Sequence, residues 1–133
     1  MPLLTADPMS FAANAPEHLM EGAIILDQLG GNAFMFMTGS KKPVVSGRSE
    51  KSPNPFASVM LGEHEAGWEK LRVTLMPNDY YKMEFYKGLM DFDEAGFITH
   101  TIEDVDAESL QEFFTEVTGL DTVMPVIRFA PRG

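Results

Sequence analysis

The sequence predicts an α+β fold, an antiparallel sheet of about four to five strands flanked by an N-terminal and a C-terminal helix. Two segments, residues 16–29 and 107–118, repeat apolar side chains at helical spacing next to capping residues. Between them, residues 70–76 and 81–85 alternate apolar and polar side chains around a Pro-Asn-Asp turn, as a β-hairpin does. The order helix, strands, helix is typical of a sheet with both helices on one face.

The N-terminal residues 1–14 contain no basic segment and no continuous apolar run, so we predict a flexible leader, or a peripheral strand, without a secretory signal. The first helix is expected to begin at Pro16, whose preset φ suits a first helical turn. Asn14 and Glu17 have the spacing of a capping box. Either of two glycines would end this helix after Leu29 in a left-handed conformation, Gly30 or Gly31.

The middle of the chain is predicted to hold one central strand, one long loop and a meander. Residues 33–37 are large and apolar at nearly every position, which indicates a strand buried on both faces. Residues 39–55 are rich in glycine, proline and serine, so we predict a long loop, of the kind that is usually functional or disordered. Strands are then expected at 56–61, in the hairpin, and within 89–102.

The last helix has signals at both ends. Asp106 can cap it, Val105 and Leu110 occupy the two positions of a hydrophobic staple, and Gly119 can end it. Residues 15–122 are therefore predicted to form a single α+β domain, and residues 123–133 a C-terminal strand or tail.

Composition narrows the function classes. The formal net charge of −10 argues against phosphate binding as the main role of the surface. The absence of cysteine excludes disulfides, thiolate metal sites and thiol catalysis, and it fits a cytoplasmic protein. No apolar run approaches the ~20 residues that cross a bilayer, so no membrane association is expected.

Acidic residues dominate the chain after Gly88 and define a first candidate surface. An acidic patch there would bind a basic protein partner or imitate nucleic acid, and the alternative is a solvated surface that maintains solubility. The candidate partner-binding residues are Asp91, Asp93, Glu94, Glu108, Glu112 and Glu116.

Basic and aromatic residues define a second candidate surface, formed by the predicted loop and the outer face of the hairpin. Such a mixture can bind single-stranded nucleic acid, whose bases stack on rings. The alternative is ordinary cross-strand pairing on a partly exposed sheet. The candidate nucleic-acid contacts are Lys41, Lys42, Arg48, Lys51, Arg72, Tyr80, Lys82 and Tyr86.

No spacing in the chain marks a catalytic, metal or cofactor site. The three histidines show no helical ligand spacing, and the glycine pair follows a helix, where a dinucleotide fingerprint follows a strand. The segment from Asp91 to Gly96 resembles the start of a calcium loop but has Ile102 where the bidentate glutamate belongs. We therefore predict no catalytic residue, metal or cofactor, and an enzyme or metal protein built from scattered histidines and acids is the third hypothesis.

Several segments together resemble small proteins of bacteriophages and other mobile elements, a family without an assigned activity. The resemblance covers residues 22–120 and is carried by residues 25–32 (ILDQLGGN), 36–39 (FMTG), 70–75 (KLRVTL), 81–85 (YKMEF) and 110–120 (LQEFFTEVTGL). It implies an accessory protein that acts in the cytoplasm of the bacterial host.

The leading functional hypothesis from the sequence is a non-enzymatic protein that binds a host or phage macromolecule and inhibits a nucleic-acid-handling or defence system. A protein partner is favoured over nucleic acid, and a single-strand-binding module is the alternative. Exposed sheet edges and ten methionines also favour pairing of two copies as a homodimer.

Overall fold

The computed structural model describes residues 10–49, 53–88 and 98–122. It contains a five-stranded antiparallel sheet with helices from both ends of the described chain, so the predicted α+β class is confirmed. No helix in these ranges is long and apolar enough to span a membrane.

Where the sequence predicted one N-terminal helix, the described residues 10–29 form two α-helices with a 3₁₀ turn between them. A short helix α1 spans Phe11–Asn14, a 3₁₀ turn spans Glu17–Leu19, and α2 spans Met20–Leu29. The predicted capping box is wrong, because Asn14 lies inside α1 and the 3₁₀ turn begins after Pro16 without a side-chain cap. The end of the predicted flexible leader is also helical. The Asp27 carboxylate accepts the backbone N–H groups of Phe11 and Ala12 at 2.8 and 2.9 Å, which ties α1 to α2.

The predicted central strand at residues 33–37 is wrong, because Gly31–Thr38 forms helix α3. Gly30 ends α2 at φ +129°, and the next helix begins directly after it. Within α3, Phe34 and Thr38 are buried, whereas Phe36 is 74% exposed. These two buried positions are four residues apart, which is the spacing of a helix. The sequence does not show this spacing, because the residues between them are also large and apolar.

The predicted loop at residues 39–55 is wrong over Lys41–Ser46, which forms strand β1 at one edge of the sheet. Its pairing with the next strand shifts register between Lys41 and Val44, and Lys42 has a φ of +54°. A proline is tolerated in an edge strand because its missing N–H can face solvent. In the sequence Pro43 favoured a loop, but in the structure it lies in an irregular edge strand, where a proline is tolerated.

The remaining strands confirm the predicted antiparallel meander. They are β2 (Phe56–Met60), β3 (Lys70–Leu75), β4 (Tyr81–Lys87) and β5 (Ile98–Val105), in the order β1-β2-β3-β4-β5. The strand predicted within residues 89–102 corresponds in part to β5, and residues 89–97 lie outside the described ranges.

The C-terminal helix also follows its sequence signals. After a 3₁₀ turn at Ala107–Ser109, α4 spans Leu110–Thr118. The Asp106 carboxylate accepts the backbone N–H of Ser109 at 2.9 Å, and Gly119 ends the helix at φ +78°. The predictions for residues 1–9 and 123–133 lie outside the described part of the chain.

One core joins the helices to the inner face of the sheet. Alternate residues of β2, β3 and β4 point into it and meet buried side chains of α2, α3 and α4, including Ile25, Phe34 and Phe114. The rings of Phe34 and Phe114 lie edge to face with centroids 5.0 Å apart. The intervening residues of the three strands point to the opposite side, which we call the open face: Phe56, Ser58, Met60, Lys70, Arg72, Thr74, Lys82, Glu84 and Tyr86.

Candidate functional site

The open face is ordered in three rows by the strand register. Phe56, Thr74 and Lys82 are direct neighbours across β2, β3 and β4. The second row contains Ser58, Arg72 and Glu84, and the third contains Met60, Lys70 and Tyr86. Because opposite residues in an antiparallel pair have Cβ atoms about 5 Å apart, each row brings its side chains into contact range.

A hollow of about 360 Å³ lies on this face, between β3, β4 and the residues that precede β2. Two cationic side chains and one carboxylate line it together with a phenol and an amide. Its lining residues are Pro53, Asn54, Arg72, Thr74, Met76, Lys82, Glu84 and Tyr86.

The Arg72 guanidinium is held in place by a ring. Its central carbon lies 3.8 Å from the centroid of the Phe56 ring, which is a close cation–π contact. In the next row, the Lys70 ammonium lies 5.8 Å from the centroid of Tyr86. A planar guanidinium that is already stacked on a ring loses less freedom when it binds a ligand, so Arg72 is preorganised for an anionic group.

Glu84 interacts with two other side chains that line the hollow. Its Oε1 lies 3.9 Å from the Lys82 ammonium. Burial raises the pKa of the Tyr86 hydroxyl, and its hydrogen bond to Glu84 raises it further, while the nearby Arg72 acts in the opposite direction. The Tyr86 phenol is therefore a neutral donor to the Glu84 carboxylate at physiological pH.

The structure brings four of the predicted nucleic-acid contacts to one side of the sheet. Arg72, Lys82 and Tyr86 line the hollow, and Lys41 is paired in register with Met60 at the β1 end of the third row. Sequence reasoning missed Lys70 and Phe56. The alternation of β3 was sufficient to place Lys70 beside Arg72, whereas the position of Phe56 depends on how β2 pairs with β3.

The other predicted nucleic-acid contacts are not part of this cluster. Arg48 forms an ion pair with Glu21 on α2, with Nε 3.0 Å from Oε2. Lys42 is exposed in the irregular part of β1, and Tyr80 is 45% exposed just before β4. Lys51 lies outside the described residues.

The predicted acidic patch is described only in part. Glu108, Glu112 and Glu116 are exposed and four residues apart, so they form one stripe along α4 and the turn before it. Asp91, Asp93 and Glu94 lie outside the described residues.

Two histidines have structural contacts. The Nδ1 of His64 is hydrogen-bonded to the Gly62 carbonyl at 2.8 Å, and its Nε2 accepts the Trp68 backbone N–H at 3.2 Å. The ring of His100 is stacked nearly parallel to Phe85. Within the described ranges, no three His, Asp or Glu side chains are grouped so that they could hold a metal ion.

Comparison with protein-family models, with curated proteins and with solved structures finds no match for this chain. The side chains of the open face and their geometry are therefore the guide to what this face binds.

Proposed function

We propose that this chain is a small binding protein, not an enzyme, and that it holds single-stranded nucleic acid on the open face of the sheet. The observation that carries the proposal is the convergence of Arg72 and Lys82 on one hollow next to Tyr86. Both cations lie on adjacent rows of neighbouring strands, so their relative position is set by the β3–β4 register.

The spacing of the cations suits an extended backbone. Lys70 and Arg72 are two residues apart on β3, which corresponds to about 6.8 Å along the strand. Lys82 continues the series one row further, on β4. An extended single strand laid along β3 can therefore present successive phosphates to these three cations.

The rings on the open face suit the bases. Unpaired bases stack on aromatic side chains and on guanidinium planes. Both kinds of group are partly exposed on the open face, at Phe56, Arg72 and Tyr86. The Tyr86 ring and the Arg72 guanidinium both lie at the hollow. A single-stranded nucleic acid would use both the rings and the cations of the open face, whereas an acidic protein ligand would use only the cations.

Fluorescence anisotropy with a labelled single-stranded oligonucleotide at low salt tests the proposal. We expect Arg72→Ala combined with Lys82→Ala to weaken binding at least about tenfold. The slope of log affinity against log salt should fall by about 0.7 for each phosphate that the variant no longer neutralises. Arg48→Ala is the matched control, because it removes a cation that is paired with Glu21 away from the open face.

Two results would contradict the proposal: no binding by the unmodified protein at low salt, or an equal loss of affinity in Arg48→Ala and in the double variant. We further propose a role as an accessory protein in a bacterial host, which is what the resemblance suggested by the sequence implies. There, a captured single strand would come from the host or the phage.

A protein partner is the second candidate, favoured by the exposed stripe of Glu108, Glu112 and Glu116. The stripe would contact a basic surface on a host or phage protein and inhibit a nucleic-acid-handling or defence system. The protein-partner candidate gains support if oligonucleotide binding fails. The variant to compare with the unmodified protein is then one with the charges of Glu112 and Glu116 reversed.

A further inference from the structure

The hollow on the open face already contains an anionic group of its own. Glu84 lies directly opposite Arg72 in the β3–β4 pairing. Its carboxylate is 3.9 Å from the Lys82 ammonium, and only 20% of its side-chain surface is exposed. It also accepts the hydrogen bond of the Tyr86 hydroxyl. A carboxylate thus sits among the cations that would contact a phosphate.

The contact between Glu84 and Lys82 is loose. A separation of 3.9 Å exceeds the 2.7–2.9 Å of a short charge-assisted hydrogen bond, and Lys82 keeps 28% of its side-chain surface exposed. Pairs of this kind contribute little to stability, so a better anion can replace the carboxylate on Lys82. A phosphate is such an anion, because its oxygens can engage Arg72 and Lys82 together.

We infer that Glu84 is a built-in counter-ion, which neutralises Lys82 in the free protein and is displaced from it by a phosphate on binding. Glu84 thereby lowers the affinity of the open face for phosphates. This inference rests on the proposed function. The Tyr86 hydroxyl gives the carboxylate a second partner, so that Glu84 stays hydrogen-bonded after Lys82 is released.

The test is Glu84→Gln, measured by anisotropy with a labelled oligothymidylate about 12 nucleotides long, within the site sizes of single-strand binders. We expect its dissociation constant at low salt to be about tenfold lower than that of the unmodified protein, because a like charge leaves the site. The gain should shrink as salt screens the site. Glu112→Gln is the matched control, because it removes the same charge from α4 and should change affinity by less than about twofold.

A second pair of variants separates the counter-ion role from a structural one. Tyr86→Phe keeps the ring but removes the donor, so Glu84 should hold Lys82 more strongly and binding should weaken. In a Glu84→Gln background the same change should have no effect, because the competing carboxylate is gone. Thermal unfolding of each variant confirms that the sheet is intact.

The outcomes separate this inference from the proposed function. If Arg72→Ala with Lys82→Ala weakens binding while Glu84→Gln does not strengthen it, the counter-ion role is wrong and the binding face stands. If Glu84→Gln weakens binding as much as loss of the cations, Glu84 positions them and the inference is overturned. If neither the unmodified protein nor Glu84→Gln binds, both proposals fail.

Discussion

A chain of partly buried polar side chains ties the helices to the sheet. The Tyr81 hydroxyl on β4 donates to the side-chain carbonyl of Gln28 on α2. Gln111 on α4 donates to the backbone carbonyl of Gln28 at 3.1 Å and accepts the Thr122 hydroxyl at 2.8 Å. No buried side-chain nitrogen or oxygen in the described ranges lacks a partner. Each of these polar groups therefore has its hydrogen bond made, which is the condition for a polar network to stabilise a fold.

Tyr81 should make stability depend on pH at the alkaline end. Burial raises its pKa above the ordinary value of 10.0, while the hydrogen bond to Gln28 partly offsets the increase. The folded state thus holds the proton more tightly than the unfolded state. The contribution to stability is complete below about pH 10 and falls as pH rises further, because the unfolded chain deprotonates first.

Urea unfolding across this range measures the effect. Tyr81→Phe should cost about 1 kcal/mol at neutral pH, because the Gln28 carbonyl loses its donor, and it should lessen the decline above about pH 10. Tyr80→Phe is the control, since Tyr80 is 45% exposed and the decline should persist in it. An unchanged profile in Tyr81→Phe would assign the alkaline decline to other groups.

At the scale of elements, the sequence predicted those parts whose signals are local. The C-terminal helix was found because Asp106 and Gly119 mark its ends, and the β3–β4 hairpin was found because its strands alternate around a turn. Helix α3 was missed because a short apolar run is compatible with a buried strand as well as with a buried helix. Strand β1 was missed because its place depends on pairing with β2, which no local pattern records.

The same distinction applies to the candidate site. Arg72, Lys82 and Tyr86 could be assigned to one face from the alternation of two strands. Lys41 joins that side only through the register of β1 with β2. Arg48 lies apart from that side, paired with Glu21 of α2, which is 27 residues away in the sequence, so no local pattern could show it.

Helix α2 depends on a glycine where it crosses the β1–β2 pair. A Cβ at Gly22 would lie 2.7 Å from the Phe56 carbonyl oxygen and 2.8 Å from the backbone nitrogen of Ser46. Both are backbone atoms, so the helix itself would have to move. Gly22→Ala should therefore destabilise the protein by about 1–3 kcal/mol, although alanine is the better helix former.

Chemical denaturation measures this change against a substitution on the solvent side of the same helix. Ile24 is 38% exposed, and Ile24→Ala should cost clearly less than Gly22→Ala. A Gly22→Ala protein at least as stable as the unmodified one would show that α2 can shift away from the strands at little cost.

At the scale of the whole molecule, charge is unevenly distributed. The open face gathers Lys70, Arg72 and Lys82, whereas the stripe on α4 consists of acids, in a chain with a net charge of −10. Such an excess of one sign destabilises the compact state through self-repulsion. Two salt effects follow, of opposite direction: screening weakens the proposed binding of phosphates and stabilises the fold.

The second effect can be measured alone by thermal unfolding without ligand. Raising the ionic strength from about 0.01 M to about 0.15 M shortens the Debye length from about 30 to about 8 Å, and we expect the Tm to rise by a few degrees. A variant with Glu112→Gln and Glu116→Gln should gain less from salt, because it has less repulsion to screen. A Tm that falls with salt would show that attractive ion pairs dominate.

The strand order has a consequence for how this chain folds. Each strand pairs with the strand next to it in sequence, so no pairing has to wait for a distant segment to arrive. The entropy lost when a loop closes grows with its length, and folding rates fall as contacts become less local. The β3–β4 hairpin can therefore act as a template to which β2 and β5 are added from either side. The sheet should then assemble quickly for its size.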